Sequence, residues 1–189
     1  MIVRRLGNKK KVAKLIMPHF PPHKVYIEPF FGAGGMFFQK PKAKYNIVND
    51  LDSDVFNLFQ VVMNQKDELE KAFCIMPIHS DLLDYWKENE ETEPVKKALR
   101  FLLMSNFTYL GVGSNISYLT SDAEFTILNL ISKTQQMLFG CRFNNKDFKI
   151  FLNAINFRGR DLDKSNSFIY NDPPYQNTQD NYSNSFVKQ

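Results

Sequence analysis

The sequence predicts an α/β protein in which an open sheet of about four strands is interrupted by a mostly helical insertion. Two observations predict this fold. Strand-like and helix-like patterns alternate at both ends of the chain, over residues 1–65 and 140–189. Between them, residues 66–139 show mostly helical periodicity, most clearly at Val95 and Leu99. We therefore expect a discontinuous sheet-containing core and a separate helical subdomain.

Composition is that of a water-soluble protein. The 189 residues are 43% hydrophobic and 14% aromatic, enough for one good core and a small subdomain. The longest apolar runs fall far short of the roughly 18 residues that a membrane helix needs. No signal-type apolar region follows the basic residues near the start of the chain. We expect no membrane partner and a cytoplasmic location.

The cysteines, the histidines and the net charge give only weak information about function. Cys74 and Cys141 are far apart in apolar surroundings, which favours reduced core thiols, with a single bridge as the alternative. The three histidines show no metal-binding spacing, so no metal site is predicted. The net charge of +4, with basic residues concentrated in residues 4–14, weakly indicates a polyanionic partner, although such a run is usually a solvated helix face.

The first segment predicts a basic helix and then two strands separated by a glycine-rich turn. The helix ends at Pro18, and residues 24–28 and 45–49 have the composition of strands. A helix is expected to begin at Met36, directly after the turn, and another amphipathic helix follows the second strand. The apolar positions that define the basic helix are Val12, Leu15 and Ile16.

The centre of the insertion and the last segment complete the fold. Residues 105–120 break the helical periodicity with glycines among aromatic residues, which predicts a loop or hairpin on the surface of the insertion. Residues 141–143 predict a strand, residues 148–155 a helix, and residues 167–171 a buried strand that leads into Asp172.

A glycine-rich turn occupies residues 28–35, where glycines permit a tight turn and close approach to a ligand. It lacks the third glycine of the dinucleotide fingerprint and the Walker lysine, so it indicates either a nucleotide-type loop or simple chain reversal. Asp50 ends the second strand about 20 residues later, where a carboxylate can bind ribose hydroxyls. A helix cap is the alternative for Asp50, but Asp52 or Ser53 can cap instead. A loop with glycines but without a phosphate-binding lysine suits a ligand that contains ribose and no phosphates. S-adenosylmethionine is such a ligand.

An Asp-Pro-Pro-Tyr sequence follows the last predicted strand, at the sheet edge where open α/β folds bind ligands. Its prolines fix the backbone and remove two amide donors, which leaves carbonyl acceptors beside a carboxylate. An exocyclic amine held there directs its lone pair at a methyl sulfonium, a reaction that depends mainly on positioning. The aromatic ring can stack on a base, which contributes roughly 1–3 kcal/mol in comparable sites. A strand-ending turn is the less favoured alternative. The predicted catalytic residues are Asp172, Pro173, Pro174 and Tyr175.

With these motifs in this order, the chain resembles the Dam-type adenine-specific DNA methyltransferases over nearly its whole length. The resemblance implies a Rossmann-like S-adenosylmethionine-dependent methyltransferase sheet over residues 1–65 and 140–189, and a helical DNA-recognition insertion over residues 66–139. It implies methyl transfer to the N6 amine of an adenine flipped out of double-stranded DNA, an activity that occurs in restriction–modification.

The resemblance also assigns cofactor-binding positions. Lys9 occupies the lysine position of the family's Trp-Ala-Gly-Gly-Lys segment, in which Arg5 replaces the tryptophan. Residues 28–34 resemble the family's Glu-Pro-Phe-x-Gly-x-Gly loop. Residues 146–148 resemble the motif that recognises the adenine ring, although a helix cap explains Asp147 nearly as well. The implied cofactor-binding residues are Lys9, Phe30, Gly32, Gly34, Asp50, Asp147, Phe148 and Asp172.

The implied DNA contacts rest on a looser likeness. Residues 104–111 resemble the family's Asn-Arg-x-Gly-Phe-Asn-Gly segment but lack its arginine and one glycine. The implied DNA-binding residues are Lys9, Asn106 and Tyr109.

The family continues with further strands beyond the Asp-Pro-Pro-Tyr motif, whereas only fourteen residues follow Tyr175 here. The last strand is therefore expected to form an exposed sheet edge, through which the protein could self-associate or pair with a completing chain. The chain could be a clipped enzyme, a naturally short protein or one part of an assembly. A catalytically silent DNA- or cofactor-binding module and an RNA adenine methyltransferase are the alternative functions.

Overall fold

The computed structural model describes residues 1–5, 7–111, 113–117 and 122–174. The chain divides into two compact units. One, here called the helical unit, comprises residues 1–8 and 57–139; the other, the sheet unit, comprises residues 9–56 and 140–189. The role of the insertion in DNA recognition stays a prediction.

The sheet unit contains a four-stranded sheet in which every pairing is parallel. The strand order is β3-β2-β1-β4, so the chain builds outward on one side of β1 and then returns to its other side. This confirms the predicted α/β, Rossmann-like sheet and its number of strands. The strands are β1 (Val25–Glu28), β2 (Tyr45–Asn49), β3 (Arg142–Asn144) and β4 (Ser167–Ile169).

Burial differs between the central and the outer strands. All four residues of β1 are buried, and Val25 and Ile27 pack against Phe151 in the core of the sheet unit. The prediction that the last strand is buried is wrong, because β4 pairs with β1 alone in the described sheet and Ile169 is 47% exposed. Its position at an edge was expected, and association through that edge stays a prediction.

The basic helix forms, but with a different buried face. A 3-10 turn (Lys9–Lys11), helix α1 (Ala13–Ile16) and a second 3-10 turn (Met17–His19) follow one another. The predicted apolar face is wrong, since Ala13 is buried while Val12 is exposed and Leu15 is 73% exposed. Pro18 lies inside the last turn, because the first positions of a helical turn need no amide donor.

The helix expected at Met36 is absent from the described structure, and residues 36–40 form turns. The Phe38 and Lys40 amides donate to the carbonyls of Gly34 and Met36, at 3.0 and 3.2 Å, without continuing into a helix. Pro41 follows immediately and disfavours helical backbone before it, so too few residues remain for a helix.

Three further helices belong wholly or partly to the sheet unit. Helix α2 (Ser53–Asn64) follows β2, as predicted, and passes from the sheet unit into the helical unit at residue 57. Helix α7 (Phe148–Asn153) is confirmed but is shorter than predicted, and α8 (Asp161–Ser165) was not predicted.

The helical unit confirms the periodicity of the insertion. Its helices are α3 (Lys66–Ile75), α4 (Ser80–Glu88), α5 (Pro94–Phe107) and α6 (Ala123–Leu138). The start of helix α5 is stabilised by Glu93, whose side chain accepts hydrogen bonds from two backbone amides of the first turn. Pro94 occupies the first helical position, which needs no amide donor. None of the helices in the described ranges is long and apolar enough to cross a membrane.

The segment after α5 has the predicted hairpin character as far as it is described. Thr108 and Ile116 form an antiparallel bridge around a 3-10 turn, Tyr109–Gly111, whereas Tyr118 and Thr120 lie outside the described residues. Both cysteines are free thiols, as expected. The prediction that both lie in the core is wrong for Cys74, which is exposed.

Candidate functional site

The predicted ligand-binding loops lie at one edge of the sheet. Because all four strands are parallel, their carboxyl ends point to the same side, and the strand order reverses between β1 and β4. Ligands of open α/β sheets bind at such a reversal, outside the carboxyl ends of the strands. The glycine-rich loop follows β1, and Asp172 lies three residues beyond β4.

Asp50 ties the glycine-rich loop to the end of β2. Its Oδ2 accepts a hydrogen bond from the Gly32 amide at 2.5 Å, and its Oδ1 accepts one from the Asp52 amide at 2.9 Å. Asp52 in turn accepts hydrogen bonds from the amides of Asp54 and Val55 and so caps α2. The capping function therefore belongs to Asp52, one of the two residues expected to take it.

The two glycines of the loop have different surroundings. Gly32 and Gly34 both have positive φ, at 53° and 70°, which favours glycine. A Cβ on Gly34 would lie 2.4 Å from a ring carbon of Phe38 and 2.8 Å from one of Phe31, whereas a Cβ on Gly32 would meet no atom within 4 Å. Gly34 thus permits packing inside the loop, and Gly32 exposes backbone to open space at the sheet edge.

An aromatic pair lies at the same edge. The rings of Phe30 and Phe148 are half-buried, with centroids 5.3 Å apart and planes inclined at 40°. Asp147, which precedes Phe148, accepts a hydrogen bond from the Lys149 amide at 2.9 Å and caps α7. The structure thus brings two predicted cofactor-binding residues into contact and gives Asp147 a capping role.

Asn49 joins three strand ends, and the sequence analysis missed it. Its buried side-chain amide donates to the carbonyls of Pro29, at 3.0 Å, and Lys146, at 2.9 Å. Its Oδ1 accepts from the Lys146 amide at 3.0 Å. Asn49 thus fixes the loops after β1 and β3 relative to β2. The available signal was a second polar residue directly before Asp50 at the end of an apolar strand.

Lys9 and Asp172 form an ion pair, with Nζ and Oδ2 2.9 Å apart. Their side chains are 20% and 23% exposed, so the pair is partly shielded from water. Lys9 was a predicted cofactor and DNA contact, and the pair brings it to the predicted catalytic carboxylate. Pro173 and Pro174 follow without regular secondary structure, and Tyr175 lies outside the described residues.

A second buried group at this edge was also missed. Glu28, the last residue of β1, is 2% exposed and accepts a hydrogen bond from the Tyr26 hydroxyl at 2.9 Å. Lys40 Nζ lies 4.0 Å from the centroid of the Tyr26 ring and donates to Asn46. The sequence signal for Glu28 was an acidic residue within a wholly apolar strand.

Burial governs the ionisation of these groups. Desolvation raises the pKa of Glu28 to about 8, and the charges of Asp172 and Asp50 also raise it, against the lowering effects of Tyr26 and Lys40. Desolvation lowers the pKa of Lys40 to about 8 and raises that of Tyr26. Glu28 is therefore largely protonated near neutral pH and adds little negative charge beside Asp50 and Asp172.

The profile of the D12 class N6 adenine-specific DNA methyltransferase family matches residues 6–187. The chain belongs to this family. The match includes the glycine-rich loop, Asp50, the helical insertion and the Asp-Pro-Pro-Tyr sequence, in the order that the sequence analysis recognised.

Individual methyltransferases of this kind are distant relatives. The chain is 30% identical to a DNA adenine methylase of Salmonella typhi over 112 residues, which is 56% of this chain and 40% of that protein. It is 32% identical to the DNA adenine methylase of Serratia marcescens over the same share of this chain and 41% of that protein. A type II methyltransferase of Methanocaldococcus jannaschii is 24% identical over 90% of this chain and 67% of its own length. The chain thus spans about two-fifths of the length of the Salmonella and Serratia DNA adenine methylases.

Two of the three predicted DNA-binding residues of this D12 family member, Asn106 and Tyr109, lie in its helical unit. Asn106 is buried, and its amide donates to the carbonyls of Ile2 and Leu102 and to the Ser105 hydroxyl. Tyr109 is 67% exposed in the turn after α5. Their roles in DNA binding stay predictions.

Proposed function

We propose that the protein transfers the methyl group of S-adenosylmethionine to the N6 amine of adenine in duplex DNA. The observation that carries the proposal is the convergence of Asp172 and the Asp50-anchored glycine loop on one sheet edge, at the reversal of strand order. Family membership gives the reaction class, and this convergence supports a site in which a nucleoside-type cofactor and an amine acceptor lie side by side.

The residues at the edge fit S-adenosylmethionine. Asp50 anchors the loop through the Gly32 amide, and it directly follows β2, where a carboxylate can accept hydrogen bonds from ribose hydroxyls. Phe30 and Phe148 offer aromatic faces for an adenine ring, and the backbone at Gly32 faces open space. Asp147 would act through its cap, by orienting Phe148. When bound, the cofactor supplies an electrophilic methyl group on a sulfonium sulfur.

On the acceptor side, the Asp172 carboxylate and the Pro173 carbonyl accept the two hydrogens of the exocyclic amine. This directs the nitrogen lone pair away from the ring and towards the methyl carbon. Pro173 and Pro174 offer no competing N–H donors. Lys9, paired with Asp172 Oδ2, holds the carboxylate in position. Tyr175 would supply the stacking surface. The sulfonium sulfur would leave with the bonding electrons as a neutral thioether, and the proton released by the methylated nitrogen would pass to solvent.

The acceptor base must leave the duplex to reach this edge, because the N6 atom of a stacked adenine is not accessible to a carboxylate and a methyl donor together. Lysine and arginine contacts with phosphates are expected to supply most of the affinity for DNA and to make it depend on salt.

The test measures transfer of labelled methyl groups from S-adenosylmethionine to unmethylated duplex DNA, with cofactor binding followed by calorimetry. We expect transfer by the wild-type protein and a loss of roughly 10²–10³-fold or more in Asp172→Ala, with the fold retained. Asp161→Ala, an exposed carboxylate on α8, is the matched control. Unchanged turnover in Asp172→Ala would remove this residue from the mechanism.

Two other outcomes identify the alternatives. Cofactor or DNA binding without transfer by the wild-type protein would identify a catalytically silent binding module. Preferential methylation of RNA in a competition with DNA of the same sequence would identify an RNA adenine methyltransferase.

A further inference from the structure

Charge is divided unequally between the two units. The sheet unit contains fifteen lysines and arginines against nine acidic residues, whereas the helical unit contains nine against eleven. The sheet unit therefore has a net charge of +6 and the helical unit a net charge of −2. The long-range attraction for a polyanion comes from the sheet unit, although the insertion is the predicted DNA-recognition element.

The densest basic segment of the sheet unit is its first helical segment. Residues 1–27 contain no acidic residue. Lys10, Lys11 and Lys14 are exposed, and Lys14 follows Lys11 by three residues and Lys10 by four, so the three side chains share one face of the segment. Ala13, in the same segment, is buried. The three lysines are here called the basic face.

The spacing of the basic face suits a DNA strand. Four residues of helical rise separate Lys10 from Lys14 by about 6 Å. Successive phosphates of one strand are spaced at about 3.4 Å along the helix axis of DNA. Flexible lysine side chains on this face can therefore reach two or three neighbouring phosphates.

The same segment is anchored at the candidate active site. Lys9, directly before the basic face, forms the 2.9 Å ion pair with Asp172. A strand of DNA bound along the basic face would thus run beside the carboxylate that receives the amine. If the three lysines were only a solvated helix face, there would be no reason for them to lie beside the candidate active site.

We propose that Lys10, Lys11 and Lys14 form the principal phosphate-binding surface for the duplex DNA substrate. The proposal rests on the proposed function for the identity of the polyanion. It assigns the electrostatic part of DNA binding to the sheet unit. The helical unit would then contribute by contacting bases or recognising the shape of the DNA rather than by supplying positive charge.

The experiment compares two triple variants of the whole chain with the same loss of charge. Lys10→Gln/Lys11→Gln/Lys14→Gln removes the basic face. Lys24→Gln/Lys44→Gln/Lys164→Gln removes three exposed lysines that precede β1, β2 and β4, at the opposite, amino-terminal edge of the sheet. Binding to a fluorescent 20-base-pair DNA duplex is measured by anisotropy over a series of salt concentrations, and cofactor binding is measured by calorimetry.

The basic-face variant is expected to bind duplex DNA at least roughly tenfold more weakly. The slope of log affinity against log salt should fall by about 2 to 3, because each lost phosphate contact removes about 0.9. The amino-edge variant should bind within about threefold of wild type with an unchanged slope. Equal effects in the two variants would overturn the proposal, as would stronger competition by duplex RNA or by vesicles of anionic lipid than by duplex DNA.

The outcomes also separate this proposal from the proposed function. Methyl transfer by the wild-type protein, with DNA affinity unchanged in the basic-face variant, would overturn the phosphate-binding surface alone. DNA binding that depends on the basic face, without cofactor binding or transfer, would overturn the enzymatic function alone. Unchanged cofactor affinity and circular dichroism in the basic-face variant would show that its loss of DNA binding is not a loss of folding.

Discussion

Asn49 and Lys146 pair through two hydrogen bonds, although they are 97 residues apart in the chain. The Asn49 side chain donates to the Lys146 carbonyl and accepts from the Lys146 amide, much as a strand residue would pair with its neighbour. A third bond, to the Pro29 carbonyl, includes the loop after β1. One buried amide thus sets the relative positions of the loops that carry Phe30 and Phe148.

We expect Asn49→Ala to lower the free energy of unfolding by roughly 2–3 kcal/mol, because it leaves buried backbone groups without partners. It should also weaken cofactor binding, since Phe30 and Phe148 are no longer held in register. Urea denaturation and calorimetry measure the two effects.

Asn145→Ala is the control for this prediction. The exposed Asn145 side chain donates to the carbonyls of Asp50 and Leu51 at the same strand ends, so its loss should cost less than about 1 kcal/mol. Equal destabilisation by the two substitutions would contradict the special position of Asn49.

Sequence reasoning recovered the sheet because its signals are local. Apolar residues with β-forming side chains predicted β2 with the observed bounds, and the helical periodicity of residues 66–139 predicted the character of the insertion. Sequence reasoning failed where packing against distant parts of the chain determines which residues are buried. The apolar residue Leu15 is exposed, and Ala13 is buried instead, because the surface that receives the segment cannot be read from periodicity.

The candidate site divides in the same way. Asp50, Gly32 and Gly34 could be named because a strand end and a turn leave patterns in the sequence. Asn49 and Glu28 were missed, because a polar residue at a strand end does not reveal its hydrogen-bond partners or its burial.

The two loop glycines give a prediction with opposite consequences for stability and binding. Gly34→Ala should cost about 3 kcal/mol or more of folding free energy, because its methyl group meets the rings of Phe38 and Phe31 in addition to backbone strain. Gly32→Ala should cost only about 1–2 kcal/mol for strain, but its methyl group enters the open space proposed for the cofactor. Urea denaturation and calorimetry distinguish them. Equal stabilities, or unchanged cofactor affinity in Gly32→Ala, would contradict this division.

Asp50 and Asp52 form a matched pair of carboxylates, two residues apart. Asp52→Ala should lower stability by about 1 kcal/mol through loss of the α2 cap and leave cofactor affinity within about threefold of wild type. Asp50→Ala should weaken cofactor binding at least roughly tenfold, because it removes the proposed ribose acceptor and releases the Gly32 amide. The dissociation constant for S-adenosylmethionine, measured by calorimetry, is the deciding quantity. If Asp52→Ala weakened cofactor binding more than Asp50→Ala, Asp52 rather than Asp50 would be the ribose acceptor.

The last prediction concerns pH and Glu28. In the folded protein the pKa of Glu28 is raised to about 8, whereas an unfolded glutamate has a value near 4.5. Between these values the folded state binds a proton that the unfolded state has lost, so stability falls as pH rises. The slope from this one group is at most about 1.4 kcal/mol per pH unit. Lys40, whose pKa is lowered to about 8, acts in the opposite direction only above that pH.

We therefore expect Glu28→Gln, which keeps an acceptor for the Tyr26 hydroxyl, to flatten the decline in unfolding free energy between pH 5 and 7.5. Urea denaturation at half-unit steps of pH measures the slope for the wild type and the variant. The exposed Glu68 serves as the control, and Glu68→Gln should leave the slope unchanged. Parallel profiles for wild type and Glu28→Gln would mean that Glu28 is ionised in the folded protein, because a group with equal pKa values in both states contributes no slope.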